Sequence, residues 1–151
     1  MSVLKAKRKE SKAEFLNVAN KIYIQTINFL SRLSARYSRL MASDISHLAS
    51  EVVDHAEKAN SVFPSDSQRA DIRKEHLLEA RASLMALDVH LSLCYEIMMM
   101  NPSGCFTTAS GNAVSSSDAQ RKLDYMAQEL GELIDFENGA LTKLLKQSEK
   151  H

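Results

Sequence analysis

From Met1 to Phe63 the chain contains neither glycine nor proline, and between Pro64 and Pro102 it again contains neither. These two residues supply the tight turns and ladder interruptions that a β protein needs at short intervals. Runs of this length without them fit helices. Gly104 and Gly111 share one Ser/Thr-rich stretch, so punctuation alone divides the chain at Pro64 and around 101–116.

Apolar periodicity fills the intervals. Phe15, Val18, Ile22, Thr26, Phe29, Leu30 and Leu33 recur at steps of three and four, the spacing of one helical face. Ser11 followed by Glu14 is a capping-box pattern that would start this helix, with residues 1–10 left as a flexible basic arm. The helix is expected to end near Ser34, with a tight connection around Ala35 to Ser38. A second stripe, Leu40, Ile45, Leu48, Val52, Ala56 and Ala59, has its own phase and stops at Pro64, whose ring removes an N–H and crowds the preceding turn. Ser65 and Gln68 suit the cap of a third helix through Ile72, Leu77, Ala80, Leu84, Leu87, Leu91, Cys94 and Met98, roughly 50 Å long. Ser117 can cap a fourth, whose stripe is Leu123, Met126, Leu130, Leu133 or Ile134, Leu141 and Leu144. Gly131 and Gly139 interrupt it, which suggests close packing. The expected fold is all-α: an antiparallel up-down-up-down four-helix bundle over residues 11–151, with a long loop at 101–116.

A chain of 151 residues can bury a core without staples. Cys94 and Cys105 form neither a CxxC pair nor part of a Cys/His quartet, so they read as reduced thiols. The basic start lacks a following apolar run, and no uncharged apolar stretch reaches about 18 residues. The expectation is a cytoplasmic protein with no membrane span.

Catalytic patterns mostly fail. The Glu-x-x-His pairs of di-iron bundles are missing, and the Gly104–Gly111 stretch lacks the Gly-Lys-Ser/Thr ending of a phosphate loop. His47, Glu51 and His55 could line one side of a metal site, but solvated side chains flanking the second stripe are the more economical reading. His76 and His90 have no partner in the sequence. The expectation is therefore no enzyme and no cofactor. Met98, Met99 and Met100 close the third helix as a core contact before they are a partner-binding patch. Leu78, Met85, Leu93 and Ile97 widen that helix beyond one seam, which points to a second partner such as a neighbouring subunit.

Charge is strongly polarised although the formal net charge is zero. Residues 1–39 carry nine Lys or Arg against Glu10 and Glu14, whereas residues 88–137 carry eight acids against Arg121 and Lys122. Lys5, Lys7, Arg8, Lys9 and Lys12 form the arm, and Lys21, Arg32, Arg36 and Arg39 lie on the first helix or the following turn. The last three would share a face if the helix continued through them. Such cations can neutralise the phosphates of RNA or DNA with salt-dependent affinity and no base readout. They can equally settle on an acidic neighbouring subunit.

The run Ala80-Arg81-Ala82-Ser83-Leu84-Met85-Ala86-Leu87, followed by Leu91, resembles the Ala-Arg-x-Ser-Leu-x-x-Leu-x-x-x-Leu signature of the bacterial four-helix-bundle family. That family includes 23S rRNA intervening-sequence proteins and the accessory variability proteins of diversity-generating retroelements. Glu129-Leu130-Gly131-Glu132-Leu133-Ile134 resembles the Glu-Val-Gly-x-Leu-Leu segment near the accessory protein's C-terminus. The resemblance carries over Ala80, Ser83, Leu84, Leu87 and Gly131 as structural positions. It departs at Leu48 to Lys58, where the family's Asn-Ile-Ala-Glu-Gly pattern is missing, and at Glu132, which replaces a basic residue. It implies a homo-oligomeric ring, a pentamer, that binds the element's RNA and reverse transcriptase through basic surface. The alternative from the residues alone is a protein-interaction scaffold without nucleic-acid binding.

Overall fold

The computed structural model describes residue 4 and residues 13–106, 110–112 and 114–149. The arm cations Lys5, Lys7, Arg8, Lys9 and Lys12, and Ser11 of the expected capping box, lie outside the described residues. Four helices follow in chain order: α1 (Glu14–Leu30), α2 (Ala35–Ser61), α3 (Ser67–Met99) and α4 (Ser116–Glu149), with a short 3-10 helix at Pro102–Cys105. The fold is an all-helical bundle, as the punctuation and periodicity predict.

The helices form a closed square. Each packs on its two neighbours in the cycle α1, α2, α3, α4, and among the described residues neither diagonal pair brings its backbones within 8 Å. Paired side chains fix the antiparallel sense. Ala59 meets Arg73, His55 meets His76 and Glu51 meets Ser83, so α3 climbs as α2 descends. Tyr95 with Asp124 and Arg81 with Asn138 give α4 the opposite sense to α3.

The core follows the predicted stripes with local corrections. Ile22, Phe29, Ile45, Val52, Leu77, Leu84, Leu87, Leu123 and Leu141 are essentially sealed from solvent, and each aliphatic side chain so buried is worth roughly 1.5–3 kcal/mol. Leu40 and Ile72, counted in the stripes, are exposed instead. On α2 the true buried row is Ile45, Ala49, Val52, Ala56 and Ala59. Leu40 precedes the point where that row settles against its neighbours.

Helix ends differ from the sequence expectations by one to four residues. Ala13 occupies the N-cap of α1 without a side-chain cap bond. The first connection is at Ser31–Ser34 rather than 35–38, because Ser34 caps α2 by accepting from the Tyr37 N–H. Asp66, not Ser65, caps α3 through the Arg69 N–H at 2.8 Å; its carboxylate accepts as well as a hydroxyl would and suits the positive helix end. At α4 the Ser115 hydroxyl accepts from the Asp118 N–H, two residues before the expected cap.

Two further expectations change. A Cβ built at Gly131 or Gly139 meets nothing within 4 Å, so these glycines do not mark close packing. And α3 does hold an 18-residue window as apolar as a membrane span, although only a third of it is buried in the bundle. The uncovered part includes Met85, Val89 and Leu93, at 46%, 58% and 49% exposure; Met85 and Leu93 belong to the widened face read from the sequence, Val89 is an addition to it, and Ile97 is only partly exposed.

Candidate functional site

The break at Ser31–Ser34 redistributes the expected basic face. Arg32 stays in the connection, Arg36 and Arg39 move to the first turns of α2, and Lys21 lies exposed on α1. They therefore do not share one helical face. Instead, Arg32 is brought to the start of α4 by the antiparallel pairing of α1 and α4. Its guanidinium carbon lies 4.9 Å from the centroid of the Phe106 ring, and the Lys122 Nζ lies 5.3 Å from the same centroid. Two cations from distant parts of the chain thus approach one aromatic ring, at a range where its quadrupole attracts them.

Around this pair opens a cleft of about 910 Å³, lined by Asn28, Arg32, Phe106, Asp118, Arg121, Lys122 and Tyr125 among others. Phe106 is buried at 7% exposure, and Tyr125 stands out at 69%. Arg121 pairs with Asp118 one turn earlier on α4. The Ser115 hydroxyl and the Arg121 guanidinium hold the Asp118 carboxyl below its ordinary range. The Nε of Arg32 is buried without a hydrogen-bond partner. The N-terminal turn of α4 adds the positive end of a long helix dipole to the same mouth. Three cations against one already paired acid make the cleft a place where an anion is favoured.

Arg121 and Lys122 escape sequence reasoning because they stand in the acidic segment. The missing signal is three-dimensional: 89 positions separate Arg32 from Arg121, and only helix pairing joins them. The five arm cations are outside the described residues, so the cleft is built from Arg32 alone of the residues singled out in the sequence.

The histidines are also rearranged. The His47 Nε2 contacts a Glu51 oxygen at 3.0 Å, and the other Glu51 oxygen accepts from the Ser83 hydroxyl at 2.9 Å. His55 does not join them. It faces His76 across the α2–α3 seam, so His76 does have a partner, which its position in the sequence concealed. His90 is exposed on α3. Among the described residues, no three His, Cys, Asp or Glu side chains gather in a metal-holding group.

Cys94 and Cys105 are free thiols, as read from their spacing. Burial, with a smaller effect from Cys105, pushes the Cys94 thiol up to about 11. Burial also raises Cys105, against a lowering effect of nearby Arg32. Neither favours the thiolate that reactive cysteine chemistry needs.

Fold and cleft together define a small four-helix bundle with a basic, aromatic-walled recess at the junction of α1, the 3-10 helix and α4. No protein-family model, curated protein or solved structure matches the chain.

Proposed function

We propose that this bundle is a non-enzymatic accessory protein of a diversity-generating retroelement. It holds phosphates of the element's RNA at the α1–α4 cleft and serves as a cytoplasmic partner of its reverse transcriptase. The observation that carries the RNA part is the convergence of Arg32 and Lys122 on Phe106 with Arg121 at the same mouth. The family resemblance at Ala80–Leu91 and Glu129–Ile134 supports the retroelement and reverse-transcriptase part. Guanidinium and ammonium groups neutralise phosphate, and the exposed Tyr125 ring offers a face for an unpaired base. The basic arm before α1 adds sequence-independent attraction.

Binding of the full chain to structured RNA across a salt series tests this reading. Affinity is expected to fall with salt, and Arg32→Gln, Arg121→Ala and Lys122→Ala each to reduce the salt slope by about one. Deletion of residues 1–12 measures the arm separately. Affinity indifferent to salt, to the cleft substitutions and to the deletion would sink the proposal.

A second reading, an interaction scaffold, is favoured by the apolar outer face of α3. Leu78, Ala82, Met85, Val89 and Leu93 recur there at steps of four and three and are all exposed. The occupant we assign is a second copy of this chain. A seam of that period is self-complementary, and an antiparallel copy centred near Val89 brings Arg81 of one chain towards Glu96 of the other. The two readings are compatible, since the cleft and the α3 face use different residues.

A further inference from the structure

The His55 and His76 rings meet at a seam whose surroundings leave them little freedom. His55 sits in the 27-residue α2 between the fully buried Val52, Ala56 and Ala59, and His76 sits in the 33-residue α3 beside the fully buried Leu77 and Ala80. Their Nδ1 atoms are 3.1 Å apart, the ring centroids are 5.3 Å apart, and the planes are tilted by 31°. Both side chains are half-buried, so solvent reaches a pair whose backbone is fixed.

Two neutral imidazoles can satisfy this contact alone only if one Nδ1 carries the proton and the other accepts it. The same separation suits two nitrogens bound to one ion. With metal–nitrogen bonds of about 2.0–2.1 Å, adjacent ligands of a tetrahedral or square site stand roughly 2.9–3.4 Å apart. Little movement of either helix is then needed to close a chelate. Glu51, one turn before His55 on α2, has its two oxygens engaged by His47 and Ser83, which leaves the two imidazoles as the protein ligands. Arg73, one turn before His76, donates to the Ala59 carbonyl at 2.7 Å, which commits its cation to the backbone.

We infer that His55 and His76 form a bis-imidazole site for a borderline divalent transition-metal ion of the zinc class, bridging α2 and α3. Imidazole donors select such ions over the oxygen-seeking Mg²⁺ and Ca²⁺. Binding places both rings in the Nε2–H tautomer, the shared proton moving from Nδ1 to Nε2 of the donor ring, and releases no net proton from the neutral pair. With two protein ligands, water fills the remaining positions, so the site is open rather than closed.

The experiment uses the full chain stripped with chelator and titrated calorimetrically with Zn²⁺ and, separately, Mg²⁺. The expected result is saturable binding of one Zn²⁺ per chain and none of Mg²⁺. His55→Ala or His76→Ala alone should weaken it roughly tenfold or more, and His90→Ala should not. Zn²⁺ should also raise the melting temperature of the wild type and lose that effect in His55→Phe, which keeps a ring in the seam. Circular dichroism separates loss of ligand from loss of fold. The inference is overturned by an absence of saturable binding or by binding that survives both single substitutions. It is equally overturned if binding is lost in His47→Ala and kept in His55→Ala, which would move the ion to the His47–Glu51 pair.

Discussion

Glu137 carries its carboxyl into the bundle with 0% exposure and with neither oxygen hydrogen-bonded. Burial, and to a smaller extent the nearby Glu14 of α1, pushes it up from an ordinary 4.5 to about 8. At neutral pH the folded chain therefore keeps a proton that the unfolded chain releases. Wherever the folded state binds more protons, stability falls as pH rises. For Glu137 the loss begins above 4.5 and levels off past about 8. Glu137→Gln abolishes this titration, so the variant should gain on the order of 4 kcal/mol over wild type near pH 8 and almost nothing near pH 4.5. Urea unfolding at the two pH values measures the difference. A gap independent of pH would mean that the carboxyl is solvated. In the sequence Glu137 stands at helical spacing between Ile134 and Leu141 of the α4 stripe, so its register marks an inward position that its charge conceals.

The elements themselves were largely legible, and the reasons differ from one boundary to the next. Pro64 and Pro102 bound α2 and α3 because proline acts locally, within the turn that contains it. Caps were harder to place. Ser65, the expected cap, and Asp66, the observed one, are adjacent residues whose side chains can both accept from a first-turn N–H, and the choice depends on how the chain enters from Pro64. The end of α1 was misplaced for a similar reason: Ser34 can serve equally as the last residue of one helix or the cap of the next. Glycine in α4 misled differently, since it suggested packing where a Cβ finds open space. Gly131→Ala and Gly139→Ala should consequently stabilise α4 by about 1 kcal/mol each. Thermal unfolding is expected to shift upward by about 2–4 °C per substitution. A fall in melting temperature would indicate that a partner, not the bundle, occupies the space at the glycine.

At the scale of the whole molecule, helix pairing rewrites the charge polarity of the chain. The two bases of the acidic segment, Arg121 and Lys122, come beside Arg32, so the cleft takes cations from both halves. The cleft and the His55–His76 seam were illegible for one reason: each joins residues that are remote in sequence and neighbours only across antiparallel helices. The α3 face was legible because a single helix carries it. That contrast gives the association its own test, since two distinct forces could hold copies together. Contact between a basic arm and an acidic α4 weakens as salt screens it. Contact through Leu78, Met85, Val89 and Leu93 removes apolar surface from water and is strengthened by sulfate. With α3 as the seam, the assembly mass in sedimentation should hold or grow in sulfate. Val89→Glu combined with Leu93→Glu should reduce it to the single chain. Both positions are about half exposed in the isolated bundle, so helical content should stay unchanged and chain stability should move by only about 0.5 kcal/mol. An assembly that dissolves in salt yet ignores both substitutions would instead assign cohesion to the charges and free the α3 face for another partner.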